Sequence, residues 1–298
     1  MKFLMTMGAL AAALAAGSAA HAEELTGTLK KIKDTGVITL GARDSSPPFS
    51  YSVENGKYTG YSYEIMLKVA DKIKAELNMP NLQERVVPFT AQNRIPMIVN
   101  GSIDLECTST TNNLERQQQV SFSTSIFVIG TRLLTGNASG IKDFTDLKGK
   151  NVATTAGTTS ERLLTRMNDE QKMGFNVLAA RENSQAFLSV EGGRAVAYMM
   201  DDAILYGERA KAKDPSKWTV VGTPASHESY GCMMKKDDAQ LKKLVDSTII
   251  DMMKSGEMQK LYQKWFVQPI PPRNVALNFP LSDDMKALYA NPNDKALQ

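Results

Sequence analysis

From Val37 onward the hydrophobic period of the chain switches repeatedly between two values, and this alternation limits the fold more than any other feature. Val37 to Leu40 is a β-branched run that ends at Gly41-Ala42-Arg43, and Ser46-Pro47-Pro48 then turns the chain. A hairpin is expected over 51–61, centred on the turn-forming pair Asn55-Gly56. Ile65, Val69, Ile73 and Leu77 recur every four positions, which predicts an amphipathic helix over 63–77. Strands are expected at 85–89 and 103–108. The helix between them, 94–100, tolerates Pro96 near its start and stops at Gly101. A long apolar strand over 123–135 runs into a loose Gly-Asn-Ala-Ser-Gly segment at 136–140. A second series follows, with strands at 151–155, 176–180, 195–200 and 218–221 and helices at 158–167, 184–191 and 202–212. A strand at 230–235 and helices at 239–254 and 257–266 lead to a tail rich in Pro and Asn, with one short helix near 283–289. Strands alternating with helices in two successive series predict two α/β lobes.

The first 22 residues stand apart from this pattern. Lys2 precedes an Ala/Leu/Met run, and Ala20-His21-Ala22 has the small-residue pattern of a cleavage site, so a secretory signal peptide cut after Ala22 is expected. Its apolar core is short for a membrane span, and no later stretch is apolar enough to cross a bilayer. The expected location is a bacterial periplasm. The formal net charge is +3, from 35 basic and 32 acidic residues, which gives no footprint for a nucleic acid or another polyanion. Two cysteines, Cys107 and Cys232, form an even pair that favours one disulfide in an oxidising compartment. With His227 as the one histidine beyond the leader, they are too few for a zinc site, and no metal or cofactor is expected.

In α/β sheets, ligands bind beyond the carboxyl ends of the strands. The polar residues at those ends are Arg43, the run Ala91-Gln92-Asn93-Arg94, and the stretch from Ser109 to Arg116. Asn112 and Glu115 have capping-box spacing, so that stretch reads as a hydroxyl-rich turn entering a helix that carries Arg116. Amide groups at a helix start, the hydroxyls of Ser109 and Thr111, and a guanidinium together suit a carboxylate. The second series offers Gly157-Thr158-Thr159-Ser160, where Thr158 and Glu161 again have capping-box spacing, then Arg181-Glu182-Asn183 and Asp201-Asp202. Taken singly, each arginine also fits a solvated loop. Three of them at strand ends, facing a carboxylate, suit a small zwitterion with more negative than positive charge.

With these runs in view, the chain resembles the periplasmic amino-acid-binding proteins of ABC importers, and most closely the glutamate/aspartate-binding members of family 3. The resemblance rests on Gln92-Asn93-Arg94-Ile95-Pro96, on Ser109-Thr110-Thr111-Asn112-Asn113 with Glu115-Arg116, and on Gly130-Thr131-Arg132-Leu133-Leu134-Thr135. It rests also on Gly157-Thr158-Thr159-Ser160-Glu161, Met199-Met200-Asp201-Asp202 and Ile270-Pro271-Pro272. It implies a type II periplasmic-binding-protein clamshell of two lobes, each a mostly parallel sheet flanked by helices. The chain would cross twice, near 127–132 and 221–228, so that the signal peptide (1–22) is followed by lobe one (23–129), lobe two (130–225) and a return to lobe one (226–298). It further implies that Cys107 and Cys232 lie on neighbouring strands of lobe one.

By the same resemblance, Arg116 pairs with the ligand α-carboxylate, helped by Ser109, Thr111 and Thr159, while Asp201 accepts from the α-ammonium. Arg43 and Arg94 would grip the side-chain carboxylate, with Asn183 at that end of the pocket. The implied partners are L-glutamate or L-aspartate and the inner-membrane permease of an ABC importer, with a monomer expected. Two positions depart from the family pattern: Ala91 stands where serine is usual, and Asn183 where histidine is usual. The second removes a group that would titrate between about pH 5 and 8 and adds a carbonyl able to accept from a ligand amide. The alternative is a periplasmic enzyme on the same fold, of the amino-acid dehydratase kind, with Asp201 and Glu182 available as acid or base.

Overall fold

A computed structural model of the protein describes residues 24–296, so the leader expected over 1–22 lies outside the described residues. The chain opens on a helix that its hydrophobic spacing did not announce, α1 (Gly27–Thr35), whose inward side consists of Thr28, Leu29 and Ile32. Gly36, left-handed at φ 70°, ends it by donating to the Ile32 carbonyl. Strand β1 (Val37–Arg43) follows, then a small antiparallel sheet of β2 (Ser45–Ser46), β3 (Ser50–Ser52) and β4 (Tyr58–Thr59). Helix α2 (Tyr61–Glu76) buries the predicted stripe of Ile65, Val69 and Ile73. Its N-cap is Gly60, at φ 129° and pressed against the Phe49 carbonyl, a place that no side chain could occupy.

Strand β5 (Gln83–Phe89), helix α3 (Arg94–Val99) and strand β6 (Leu105–Glu106) complete the parallel part of the first sheet. The strand expected over 103–108 pairs as a ladder at only two residues, because the polypeptide after Glu106 turns into the binding region. A short helix, α4 (Leu114–Gln117), leads to β7 (Val120–Ile129). The apolar run expected as one strand is broken at Gly130, beyond which β8 (Thr131–Gly136) belongs to a different sheet. The second series gives β9 (Asn151–Thr155), α5 (Thr159–Gln171), β10 (Asn176–Ala180), α6 (Asn183–Glu191), β11 (Ala197–Asp201), α7 (Asp202–Lys211) and β12 (Trp218–Val221). The chain then returns through β13 (Glu228–Lys235), α8 (Ala239–Lys254), α9 (Glu257–Tyr262), β14 (Pro269–Ile270), β15 (Val275–Ala276) and α10 (Asp283–Ala290).

Two five-stranded sheets result, in the orders β5-β1-β6-β13-β7 and β10-β9-β11-β8-β12. In the first, β5, β1 and β6 are parallel and β13 is antiparallel to β6 and β7. In the second, β10, β9 and β11 are parallel and β8 and β12 run the other way. The chain leaves the first sheet at Gly130 and comes back between Val221 and Glu228. The two passages are tied together: Ala225 N–H donates to the Thr131 carbonyl at 2.9 Å, and the Thr131 and Ser226 hydroxyls lie 2.8 Å apart. A Cβ on Gly130 would stand 2.7 Å from Pro224, so the two passages are in close contact there.

Below this junction lies an aromatic cluster. Phe127 stacks on Phe266 at 4.7 Å, and Phe49 meets Phe127 edge-on at 4.9 Å and Tyr230 at 5.1 Å. Cys107, just past β6, is bonded to Cys232 on the adjacent β13, closing a loop of 125 residues in sequence separation that contains the whole second sheet.

Candidate functional site

The segment after Cys107 is held in place by β13. Gly231 N–H donates to the Thr110 carbonyl, and Asn112 N–H donates to the Ser229 carbonyl at 2.8 Å, so Thr108 to Asn112 lie fixed along the strand. The cap of α4 is Asn113, not Asn112: its side chain accepts from Arg116 N–H at 2.9 Å. With four residues, α4 has little macrodipole, and anion recognition at this point falls to the Arg116 side chain rather than to the helix start. That guanidinium is buried and donates from Nη1 to the Thr111 carbonyl at 2.9 Å, its one side-chain hydrogen bond among the described residues. Thr111 donates through its hydroxyl to Glu228 Oε2 at 2.7 Å, and Glu228 also accepts from Ser226 at 2.9 Å. Ser109 is buried beside it.

Arg94 begins α3 and Arg43 ends β1, so the strand-to-helix geometry delivers both to the same edge of the first sheet. Arg94 Nη1 donates to the Thr110 hydroxyl at 3.0 Å and the Ser109 carbonyl at 3.3 Å. Arg43 donates from Nη2 to Glu182 Oε2 of the second lobe at 2.8 Å. Neither guanidinium is saturated: the Nε of Arg43 and the Nε of Arg94 are buried and have no hydrogen-bond partner among the described residues. Glu106 is the counter-charge beneath them. It is wholly buried on β6 and accepts from the hydroxyls of Thr108 and Thr110 at 2.6 and 2.5 Å. The hydroxyl of Thr110 thus stands between Glu106 and Arg94.

The second lobe presents three helix starts toward the same place. Thr158 caps α5, accepting from Glu161 N–H at 3.1 Å; Glu161 completes the turn by accepting from Gly157 N–H, one residue earlier than a capping box requires. Thr159 thereby stands with its hydroxyl 3.5 Å from that of Thr111 in the other lobe. Asp201, at the end of β11, accepts from Ser160 at 3.0 Å and from the hydroxyl of Tyr230, which reaches across from the first lobe. Asn183 begins α6 and is fully engaged as an acceptor: Thr155 and Tyr198 donate to its carbonyl at 2.7 and 3.0 Å, and its amide donates to Ser46 of the first lobe at 3.0 Å. Its carbonyl therefore has no lone pair left for a ligand amide, contrary to the expectation from its identity alone. Ala91 is also buried. A cleft of about 500 Å³ opens at the Thr111–Thr159 contact, with Arg162 and Glu228 also in its wall; Arg43, Arg94, Arg116, Asn183 and Asp201 do not line it.

Burial dominates the electrostatics. It pushes the Asp201 carboxyl up to about 7, aided by Glu228 and opposed by the hydrogen bonds from Tyr230 and Ser160. It draws Arg116 down to about 10, with Arg162 adding to the shift and Glu228 and Asp201 opposing it. Arg94 is lowered by burial and by Arg116, while Glu106 works the other way. Burial likewise raises Glu106, against the pull of Arg94. Three buried guanidiniums and a carboxylate that can face an ammonium suit a small molecule bearing more than one carboxylate.

The structure thus brings Arg43, Arg94, Ser109, Thr111, Arg116, Thr159, Asn183 and Asp201 to the facing edges of the two sheets. Sequence reasoning gave no role to Glu106, Glu228, Tyr230 and Ser46. The alternation Ile103-Asp104-Leu105-Glu106-Cys107, which puts two carboxylates on one face of a short strand, was the available signal for Glu106. Nothing local marks the other three.

The family model for bacterial extracellular solute-binding proteins, family 3, matches residues 38–268. An L-glutamate/L-aspartate-binding protein of Pseudomonas aeruginosa is 59% identical over 278 residues, 93% of this chain and 92% of that protein. A glutamate/aspartate import solute-binding protein of Escherichia coli is 53% identical over 97% of this chain and 96% of its own length. Among solved structures, a mutant arginine-binding protein from T. maritima superposes with a TM-score of 0.72 at 26% identity, covering 80% of this chain and 99% of that one. An ancestral amino-acid-binding protein, described as a precursor of cyclohexadienyl dehydratase, gives 0.69 at 30% identity, with 80% and 99% covered. The fold is the two-lobe, type II periplasmic-binding-protein architecture, and the chain belongs to the bacterial extracellular solute-binding proteins, family 3.

Proposed function

We propose that this protein captures L-glutamate or L-aspartate between its lobes in the periplasm and delivers it to the permease of an ABC importer. The observation that carries the reading is the convergence of three buried guanidiniums, Arg43, Arg94 and Arg116, close enough that, beyond burial itself, each of the other two depresses the pKa of Arg94. Gathering like charges in a buried site is costly unless an anion joins them, and a ligand with two carboxylates supplies that negative charge. Arg116, with Ser109, Thr111 and Thr159, takes the α-carboxylate. Asp201 takes the α-ammonium in exchange for its bond from Tyr230. Asn183 shapes the distal wall by joining Thr155, Tyr198 and Ser46 rather than by touching the ligand carboxylate itself.

Lobe one comprises 23–129 with 226–298 and lobe two 130–225 in this reading; the mature chain begins after Ala22 and acts as a monomer. Cross-lobe bonds such as Arg43–Glu182 and Asn183–Ser46 form only when the lobes meet, so they favour the closed form that a permease would recognise. The protein binds its ligand without transforming it, a reading supported by near relatives whose names describe binding and import. Incubation with isotope-labelled L-glutamate tests this: the label should be retained at one molecule per chain and recovered as glutamate. Recovery of a deaminated or dehydrated product would replace the binder with an enzyme.

A further inference from the structure

The family match ends at residue 268, whereas the described chain continues to 296 and its last residues come back to the ligand site. After α10 the chain lies across β7 and β13. Ser125 N–H donates to the Asn293 carbonyl at 2.8 Å, and the Ser229 hydroxyl donates to the Lys295 carbonyl at 3.2 Å. Between these two anchors, the Asp294 carbonyl accepts from Asn112 Nδ2 at 2.9 Å. Asn112 is fully buried and sits between Thr111 and the Asn113 cap of α4. Its other groups are committed: Gln117 donates to its Oδ1 at 2.8 Å, and its own N–H donates to the Ser229 carbonyl.

We propose that residues 291–296 are a positioning strap for the amino-acid site, acting on Arg116 through Asn112; the inference rests on the binding function given above. The Thr111 carbonyl that receives the Arg116 guanidinium belongs to the peptide unit immediately before Asn112. Fixing the Asn112 side chain from behind fixes that peptide unit and with it the direction of Arg116. The strap touches no ligand. It raises the fraction of molecules in which the turn is ready, and apparent affinity scales with that fraction.

A chain ending at Ala290 tests the strap against the full chain, with L-glutamate titrated calorimetrically and amide exchange followed without ligand. The shortened chain should bind about 5- to 20-fold more weakly, as a fall of the binding-competent fraction to about a fifth to a twentieth of its full-chain value implies, with the loss in association rate. Its amides over 109–116 should exchange faster while those of β1 keep their protection. A dissociation constant within twofold of the full chain, or faster exchange spread evenly over both regions, overturns the proposal. If the shortened chain does not fold, the double variant Ser229→Ala/Lys242→Ala decides by the same criteria, since Ser229 and Lys242 hold the strap at Lys295 and Asp294. Failure of the full chain to bind glutamate would refute the function instead, and the exchange comparison, made without ligand, would still judge the strap.

Discussion

Acidification should weaken amino-acid binding, and Asp201 sets where. Burial first and Glu228 second push its carboxyl up to about 7, against an ordinary value of ~3.9. A carboxyl raised on folding favours the protonated native state. The stability it contributes to the ligand-free protein is therefore full below ~4 and is lost as the pH rises through about 7. Ligand binding has the opposite sign, because the α-ammonium needs Asp201 ionised. Binding must expel the proton wherever the free protein holds it. Affinity should thus be level above pH 7 and fall ~10-fold per unit below it, giving roughly a 50-fold loss between pH 7 and pH 5. The charged neighbours are Glu228, Asp202 and Arg116, and the Tyr230 hydroxyl contacts the carboxylate directly. Glu228→Gln removes the main repulsive partner and should move the fall to lower pH. Calorimetry at pH 5, 6, 7 and 8, in buffers of different ionisation enthalpy, reads affinity and proton release together. Near one proton should leave per glutamate bound at pH 6. A constant dissociation constant from pH 5 to 7, or proton uptake, would refute the role of Asp201. The imidazole missing at Asn183 does not make binding independent of pH, since Asp201 titrates in the same interval.

Arg116→Ala should nearly abolish binding of glutamate and aspartate alike, since removing one partner of a buried charge pair costs ~2–5 kcal/mol, roughly 30- to several thousand-fold in affinity; equilibrium dialysis with either ligand checks this. Reduction of Cys107–Cys232, which closes a separation of 125 residues, should cost up to about 5 kcal/mol of stability by the chain-entropy argument, read from denaturant midpoints with and without reductant. Glu106→Gln should destabilise the ligand-free protein by about 1–2 kcal/mol in thermal or denaturant unfolding, because it weakens the bonds from Thr108 and Thr110 and removes a carboxylate beside Arg94. The same variant should show a larger glutamate-induced rise in melting temperature than the parent, since the ligand then supplies the missing negative charge.

Local pattern carried the framework. The four-residue spacing of Ile65, Val69 and Ile73 is the buried face of α2, and helix 239–254 has the bounds its sequence implies. Gly27–Thr35 escaped because two large apolar residues, Leu29 and Ile32, are too few to establish a period. The cap on α4 shifted by one residue because Asn112 and Asn113 are chemically alike. What separates them is the Asp294 carbonyl, 182 residues away in sequence. Arg43 and Arg94 could be found because one terminates a strand and the other opens a helix, and Arg116 because it follows the hydroxyl-rich turn after β6. Their partners could not: Arg43 meets Glu182 across 139 residues and Asn183 meets Ser46 across 137. Such contacts depend on how two lobes close, which no local periodicity encodes.

A calorimetric panel of L-glutamate, L-aspartate, L-glutamine and succinate addresses the central claim, that buried arginines select a second carboxylate. Glutamine leaves the buried guanidiniums of Arg43 and Arg94 without a ligand anion, a penalty of about 2–4 kcal/mol for buried charge. It should bind at least ~30-fold more weakly than glutamate. Succinate, which cannot engage Asp201, should also bind weakly, while glutamate and aspartate saturate one site per chain. Equal affinity for glutamine and glutamate would mean that Arg43 and Arg94 do not face the ligand, and the acidic-amino-acid assignment would fall with them.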